Sequence, residues 1–133
     1  MLTRSQTTHQ QNFFYTDFMM QLDTQDPLLL LAQEIPWRHF DEAFKSCYNL
    51  YTGRPAKPVR LMVGLLILKQ LEDLSDEQVV MQVKRNPYYQ AFCGFTEFQQ
   101  KPPCDASDLV YFRQRIGAAG VEEIFATSVK LHG

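Results

Sequence analysis

The sequence predicts an all-α domain, and three observations carry that expectation. Apolar residues recur at helical spacing in successive segments. No segment alternates at period 2 for long enough to form a strand. Pro, Ser, Asp and Gly stand where helices should start and stop. The chain has 133 residues, which suits one domain and needs no disulfide or metal to hold a core. Hydrophobic residues at 45% and charged residues at 21% exclude wholesale disorder. The expected architecture is a compact fold of roughly five to seven helices with a helix-turn-helix-like pair. A leader covers residues 1–25 and a single helical domain residues 26–133.

The leader begins polar, rich in Gln and Thr, and cannot order itself by burial. Phe13, Phe14, Tyr15, Phe18, Met19, Met20 and Leu22 follow. Such a cluster docks either on its own core or on a partner. Asp26-Pro27 is a capping acid followed by Pro at the first helical position, so a short helix should run from Pro27 to about Gln33. Ile35-Pro36 breaks it, and Trp37 serves as a core anchor at the bend. The next helix reaches about Leu50 and turns Phe40, Ala43, Phe44, Cys47, Tyr48 and Tyr51 to one side. Gly53-Arg54-Pro55 then forces a loop.

Pro58 opens a helix to about Glu72 that is apolar on nearly every side between Leu61 and Leu68, so it should be the central buried element. Gly64 inside it costs about 1 kcal/mol relative to Ala, and close approach of a neighbour is the return. Ser75 and Gln78 form a capping box, with Asp76 and Glu77 at the positive helix end. That helix turns Val79, Val80 and Val83 inward and stops at Asn86-Pro87. A short helix from Tyr88 to Cys93 ends at Gly94, and a loop closes at Pro102-Pro103. Asp105 or Ser107 caps a helix through Leu109, Phe112 and Ile116, stopped by Gly117. Gly120 precedes a last helix with Val121, Ile124, Phe125, Ser128 and Val129 on one face.

Composition narrows function. A net charge of −2 excludes a uniformly basic nucleic-acid coat but allows a local basic patch. The longest apolar run, Leu61–Leu68, is far short of the roughly 20 residues a membrane span needs. Cys47, Cys93 and Cys104 lack CxxC spacing, and His9, His39 and His132 are scattered, so neither zinc nor a disulfide framework is expected. Reduced thiols fit a cytoplasm.

Five strings in order carry a family resemblance. They are Ile35-Pro36-Trp37 with Gly53-Arg54-Pro55, then Leu65-Leu66-Ile67-Leu68 leading to Leu74-Ser75-Asp76. Asn86-Pro87-Tyr88-Tyr89-Gln90-Ala91-Phe92-Cys93-Gly94 follows. Pro103-Cys104-Asp105-Ala106-Ser107-Asp108-Leu109 and Phe112-Arg113-Gln114-Arg115-Ile116-Gly117 complete the set. Over residues 26–133 the chain resembles the N-terminal domain of insertion-sequence DDE transposases of the InsH type. The resemblance implies a bacterial, DNA-engaging helical region followed by an RNase H-like catalytic domain. Its expected partner is double-stranded DNA at transposon ends, together with a homodimer. It implies no cofactor, small-molecule substrate or membrane.

Two-metal phosphoryl transfer requires a carboxylate clamp on both the attacking and leaving oxygens. No strand bearing such a carboxylate occurs up to Gly133, so no catalysis and no metal site are expected of this chain alone. Asp105, Asp108, Glu122 and Glu123 lie at helix starts, where capping and the helix dipole account for them.

Charge is blocked along the chain. Residues 53–71 hold Arg54, Lys57, Arg60 and Lys69 and no acid, and residues 72–83 answer with Glu72, Asp73, Asp76 and Glu77 and no base. Lys84, Arg85, Lys101, Arg113 and Arg115 then outnumber Glu97, Asp105 and Asp108. Clustered cations are what phosphate contact requires. Arg54, Lys57, Arg60, Lys84, Arg85 and Arg115 are the expected DNA-binding residues. Arg54 stands either in a plain loop or in a minor-groove arm. The helix beginning Asp76-Glu77 repels phosphate at the end where a recognition helix should attract it, so its far end, Lys84 and Arg85, suits backbone contact better than base reading. Arg113, beside the apolar face of its helix, suits pairing with a carboxylate. The competing reading is an assembly module that holds a dimer or regulates a full-length enzyme and touches DNA little.

Overall fold

The computed structural model describes residues 18–49 and 57–132. Tyr51 and Arg54, and the part of the leader up to residue 17, lie outside them. The described residues form six α-helices and no strand. They are α1 (Pro27–Glu34), α2 (Trp37–Asn49), α3 (Val59–Glu72), α4 (Asp76–Arg85), α5 (Pro87–Phe92) and α6 (Ala106–His132). A helical turn at residues 18–20 precedes them.

The starts follow from their capping chemistry. Asp26 Oδ1 accepts from Leu28 N–H at 2.9 Å ahead of Pro27. Asn86 closes α4 and opens α5, its Oδ1 accepting from Tyr88 N–H at 2.9 Å. Pro58 stands as the cap before α3, one place earlier than a first helical residue.

α3 is the centre. Every residue from Leu61 to Leu68 is buried, and Val63, Leu65, Ile67 and Leu68 have no exposed surface. It packs against α2, α4 and α6, while α1 packs on α5. Phe40 and Phe44 from α2, Val79 and Val83 from α4, Phe92 from α5, and Leu109, Phe112 and Ile124 from α6 complete the core. Ala43, expected on the same stripe as Phe40, is exposed, because the apolar face of α2 is narrower than its spacing suggests. A Cβ on Gly64 would stand 2.9 Å from Cys93 Sγ and 3.3 Å from Cys93 Cα, so the glycine admits the chain just after α5.

Phe18 and Leu22 dock in cis, buried against Leu29 and Ala91. Tyr88 Oη accepts from Asp23 N–H at 2.9 Å and holds the same segment down. Met20 points away at 79% exposure.

The last two expected helices are both present within α6, separated by a break at Gly117 as expected. Gly117 has φ 75° and ψ 175°, a conformation open to glycine alone, and the helix resumes directly after it. Gly120, expected before the last helix, therefore lies inside it. There a Cβ would come 3.1 Å from Phe44 Cε1 and 2.8 Å from Ile116 Cβ, so its role is close packing. Val129 was expected on the inner face with Ile124 and Ser128. It is 58% exposed, because the inward stripe runs through Ile124, Ser128 and Leu131 and leaves Val129 beside it.

Candidate nucleic-acid interface

α4 is the best-defined surface helix, and local chemistry fixes both its ends. Ser75 Oγ accepts from Gln78 N–H at 3.1 Å and Gln78 Oε1 accepts from Ser75 N–H at 2.9 Å, a closed capping box. The turn from α3 spans Asp73–Ser75, with Asp73 in the left-handed region at φ 54°. Three turn residues between α3 and α4 give the pair helix-turn-helix proportions.

At the other end, Gln90 is buried to 1% exposure and makes four hydrogen bonds. Its Nε2 donates to the carbonyls of Val83 at 3.0 Å, Lys84 at 3.2 Å and Gln99 at 2.8 Å. Its Oε1 accepts from Gln99 N–H at 2.7 Å. One side chain thus satisfies the last carbonyls of α4 and pins the loop after α5 beside Lys84 and Arg85. Nothing in the sequence pattern marks Gln90, because its partners are main-chain atoms.

The acid that opens α4 is turned inward. Asp76 accepts from Arg113 Nη1 at 3.0 Å and Nη2 at 2.8 Å, and Lys69 Nζ lies 3.4 Å away. The Asp76 side chain is 16% exposed. The Arg113 hydrogen bonds, opposed by burial and aided by the charges of Arg113 and Lys69, hold its carboxyl below the usual range. The same contact raises the guanidinium of Arg113. Of the two acids at this helix start, only Glu77 faces water. The outward face of α4 carries Gln78, Met81, Gln82 and Arg85, at i, i+3, i+4 and i+7.

The expected cations fall into different settings. Lys57 and Arg85 are exposed, and Lys84 and Arg115 are half-buried. Lys84 and Arg85 stand together in the last turn of α4. Arg60 is taken into the fold: its guanidinium lies 4.6 Å above the Trp37 ring and its Nη2 donates to Phe92 O at 3.3 Å. Its methylene stem runs against Gly94, where a Cβ would meet Arg60 Cδ at 2.8 Å. Trp37 anchors the bend as expected, donating to Ala32 O at 2.9 Å and meeting Phe92 edge-on at 5.3 Å.

Two of the four late carboxylates have partners in the fold. Asp108 Oδ2 accepts from Asp105 N–H at 3.0 Å at the start of α6. Glu123 pairs with His39. Among the described residues no group of three His, Cys, Asp or Glu side chains converges as a metal site. No helix among them is long and apolar enough to cross a membrane. Cys47, Cys93 and Cys104 are free thiols. Burial pushes Cys93 up strongly and Cys104 up to about 11, so both are poor nucleophiles.

Residues 16–115 match the family described as a transposase domain (DUF772). A Rhizobium meliloti protein described as uncharacterized protein ORF8 in the nfe locus is 50% identical over 109 residues. That match covers 82% of this chain, which spans 52% of the relative's length. No solved structure matches the chain.

Proposed function

Since this chain belongs to the transposase domain family (DUF772), we propose that it is a DNA-engaging module that positions a transposase on transposon-end DNA during transposition. The observation that carries the reading is the charge arrangement on α4. Asp76 is engaged by Arg113 and Lys69, whereas Lys84 and Arg85 sit at the opposite end beside an outward face of amides. That face suits a duplex lying against the C-terminal half of α4. Lys57, Lys84, Arg85 and Arg115 contact phosphate oxygens, and Arg54, outside the described residues, belongs to the same proposed set. Arg60 contributes mainly as a support, because Trp37 and Phe92 already hold it. Glu77, still exposed, keeps the helix start away from the backbone. Contacts of this kind set affinity and orientation and carry little sequence information.

No carboxylate clamp for two metal ions gathers among the described residues. In this reading strand cutting and joining are the work of a separate catalytic domain, as the family resemblance implies. The module works in the bacterial cytoplasm, on the nucleoid.

Fluorescence anisotropy with a labelled mixed-sequence duplex tests the proposal. Binding that weakens steeply with salt supports it. A chain that leaves the duplex free at low salt has some other role.

A further inference from the structure

We infer that the loop at residues 95–101 is the sequence-reading element of the DNA interface, with Phe98 and Gln100 meeting base edges in the major groove. The inference rests on the DNA reading above and adds what that reading lacks, since Lys84 and Arg85 against phosphate distinguish sequences poorly. The loop is built around one buried residue. The main-chain carbonyl of Gln90 accepts from Phe95 N–H at 3.0 Å, and the Gln90 side chain holds the main chain of Gln99 through two bonds, of 2.7 and 2.8 Å. Both ends of the segment 95–99 are therefore fixed to the same point. Gln90 Nε2 also takes the carbonyl of Lys84 at 3.2 Å, so the Gln99 main chain stands beside the last turn of α4. A duplex that meets Lys84 and Arg85 meets this loop as well.

What the loop offers is not charge. Glu97 and Lys101 offset each other, and Thr96, Phe98, Gln99 and Gln100 are uncharged and exposed. Phe95 packs against the core, whereas Phe98 is 43% exposed. Exposure alone would mark nothing, because single apolar side chains are common on surfaces. The place of Phe98 does mark it: the ring sits beside two cations, on main chain held at both ends, so little order is lost when it is covered. Gln99 is used by Gln90, and its own amide lies 3.5 Å from Glu97 Oε1. Gln100 is the amide left for a base. A glutamine amide donates to N7 and accepts from N6 of adenine, and an apolar side chain packs on the C5-methyl of thymine. Both contacts exist only in the major groove, and both select A·T pairs. That groove is about 12 Å wide and admits a whole helix, so a short loop enters it.

Selection from a randomised duplex pool, followed by anisotropy on the enriched duplex and on a mixed-sequence duplex, tests the inference. The parent chain should enrich a sequence containing A·T pairs and hold it at least about fivefold more tightly than the mixed duplex. Phe98→Ala/Gln100→Ala should lose most of that preference yet keep the mixed-duplex affinity and its salt slope. Uracil in place of thymine removes only the methyl group, so it should weaken the parent about threefold and leave Phe98→Ala unchanged. Both positions are exposed, so far-UV helicity and melting temperature should stay at the parent values. A parent that binds the mixed duplex in a salt-dependent way but enriches no sequence overturns the inference and leaves the DNA reading standing. So does a double variant with undiminished preference or a shallower salt slope, or a Phe98→Ala chain as sensitive to uracil as the parent. A parent that binds no duplex at low salt overturns both.

Discussion

Arg113 donates both of its terminal nitrogens to the carboxylate of Asp76, across 37 positions of sequence. The pair ties the start of α4 to α6, and Lys69 adds the end of α3 to the same point. Three helices thus meet at one acid, which fixes how α4 stands on the domain. Asp76→Asn or Arg113→Met should destabilise the fold by about 1–3 kcal/mol, the usual cost of leaving a partly buried polar group unmatched. Urea unfolding of both variants and the double variant should give a positive coupling between them.

The same contact predicts a pH dependence. The folded carboxyl of Asp76 titrates below its ordinary value of 3.8. The folded state then holds fewer protons than the unfolded state, so the stability the contact supplies is complete above about pH 4 and is lost as pH falls below that. Unfolding free energy followed from pH 6 to pH 3 should fall less for Asp76→Asn than for the parent chain.

Gln90 should matter more than any surface polar residue. Gln90→Leu keeps the volume but abandons the carbonyls of Val83, Lys84 and Gln99, at about 1–3 kcal/mol for a buried group left unsatisfied. Hydrogen exchange should then quicken at the end of α4 and in the loop after α5, ahead of α3. Uniform protection across all helices in the variant would contradict the role given to this side chain.

Leu66→Ala, at 1% exposure on α3, should lower stability by about 2–5 kcal/mol through lost burial and a residual cavity. Met20→Ala, at 79% exposure, should change it by less than about 0.5 kcal/mol. Chemical denaturation of the two variants checks the assignment of α3 as the centre.

Much of the fold was legible because its signals are local. Asp26-Pro27, Ser75 with Gln78, and Asn86-Pro87 state where helices begin, and the run from Leu61 to Leu68 states which helix is surrounded. Arg113 was legible as an ion-pair residue from its place beside the apolar face, although its partner was not. What stayed hidden depends on long-range geometry. Arg60 reads as a free cation in a basic segment, yet Trp37 and the carbonyl of Phe92, far off in sequence, draw it inward. Gln90 bonds main-chain atoms, which no residue pattern encodes. Gly117 reads as a stop and is one, but the packing of Gly120 on Phe44, far off in sequence, does not show in the pattern.

The central claim is that Lys84 and Arg85, at the end of α4, contact the phosphate backbone. The slope of log affinity against log salt tests it most directly, compared between the parent chain and Lys84→Ala/Arg85→Ala on one mixed-sequence duplex. Each phosphate contact contributes about −0.9 to that slope, so losing two should make it shallower by nearly two units and weaken all duplexes about equally. A slope that stays unchanged while the melting temperature falls would assign these residues to the fold and leave the DNA reading without its support.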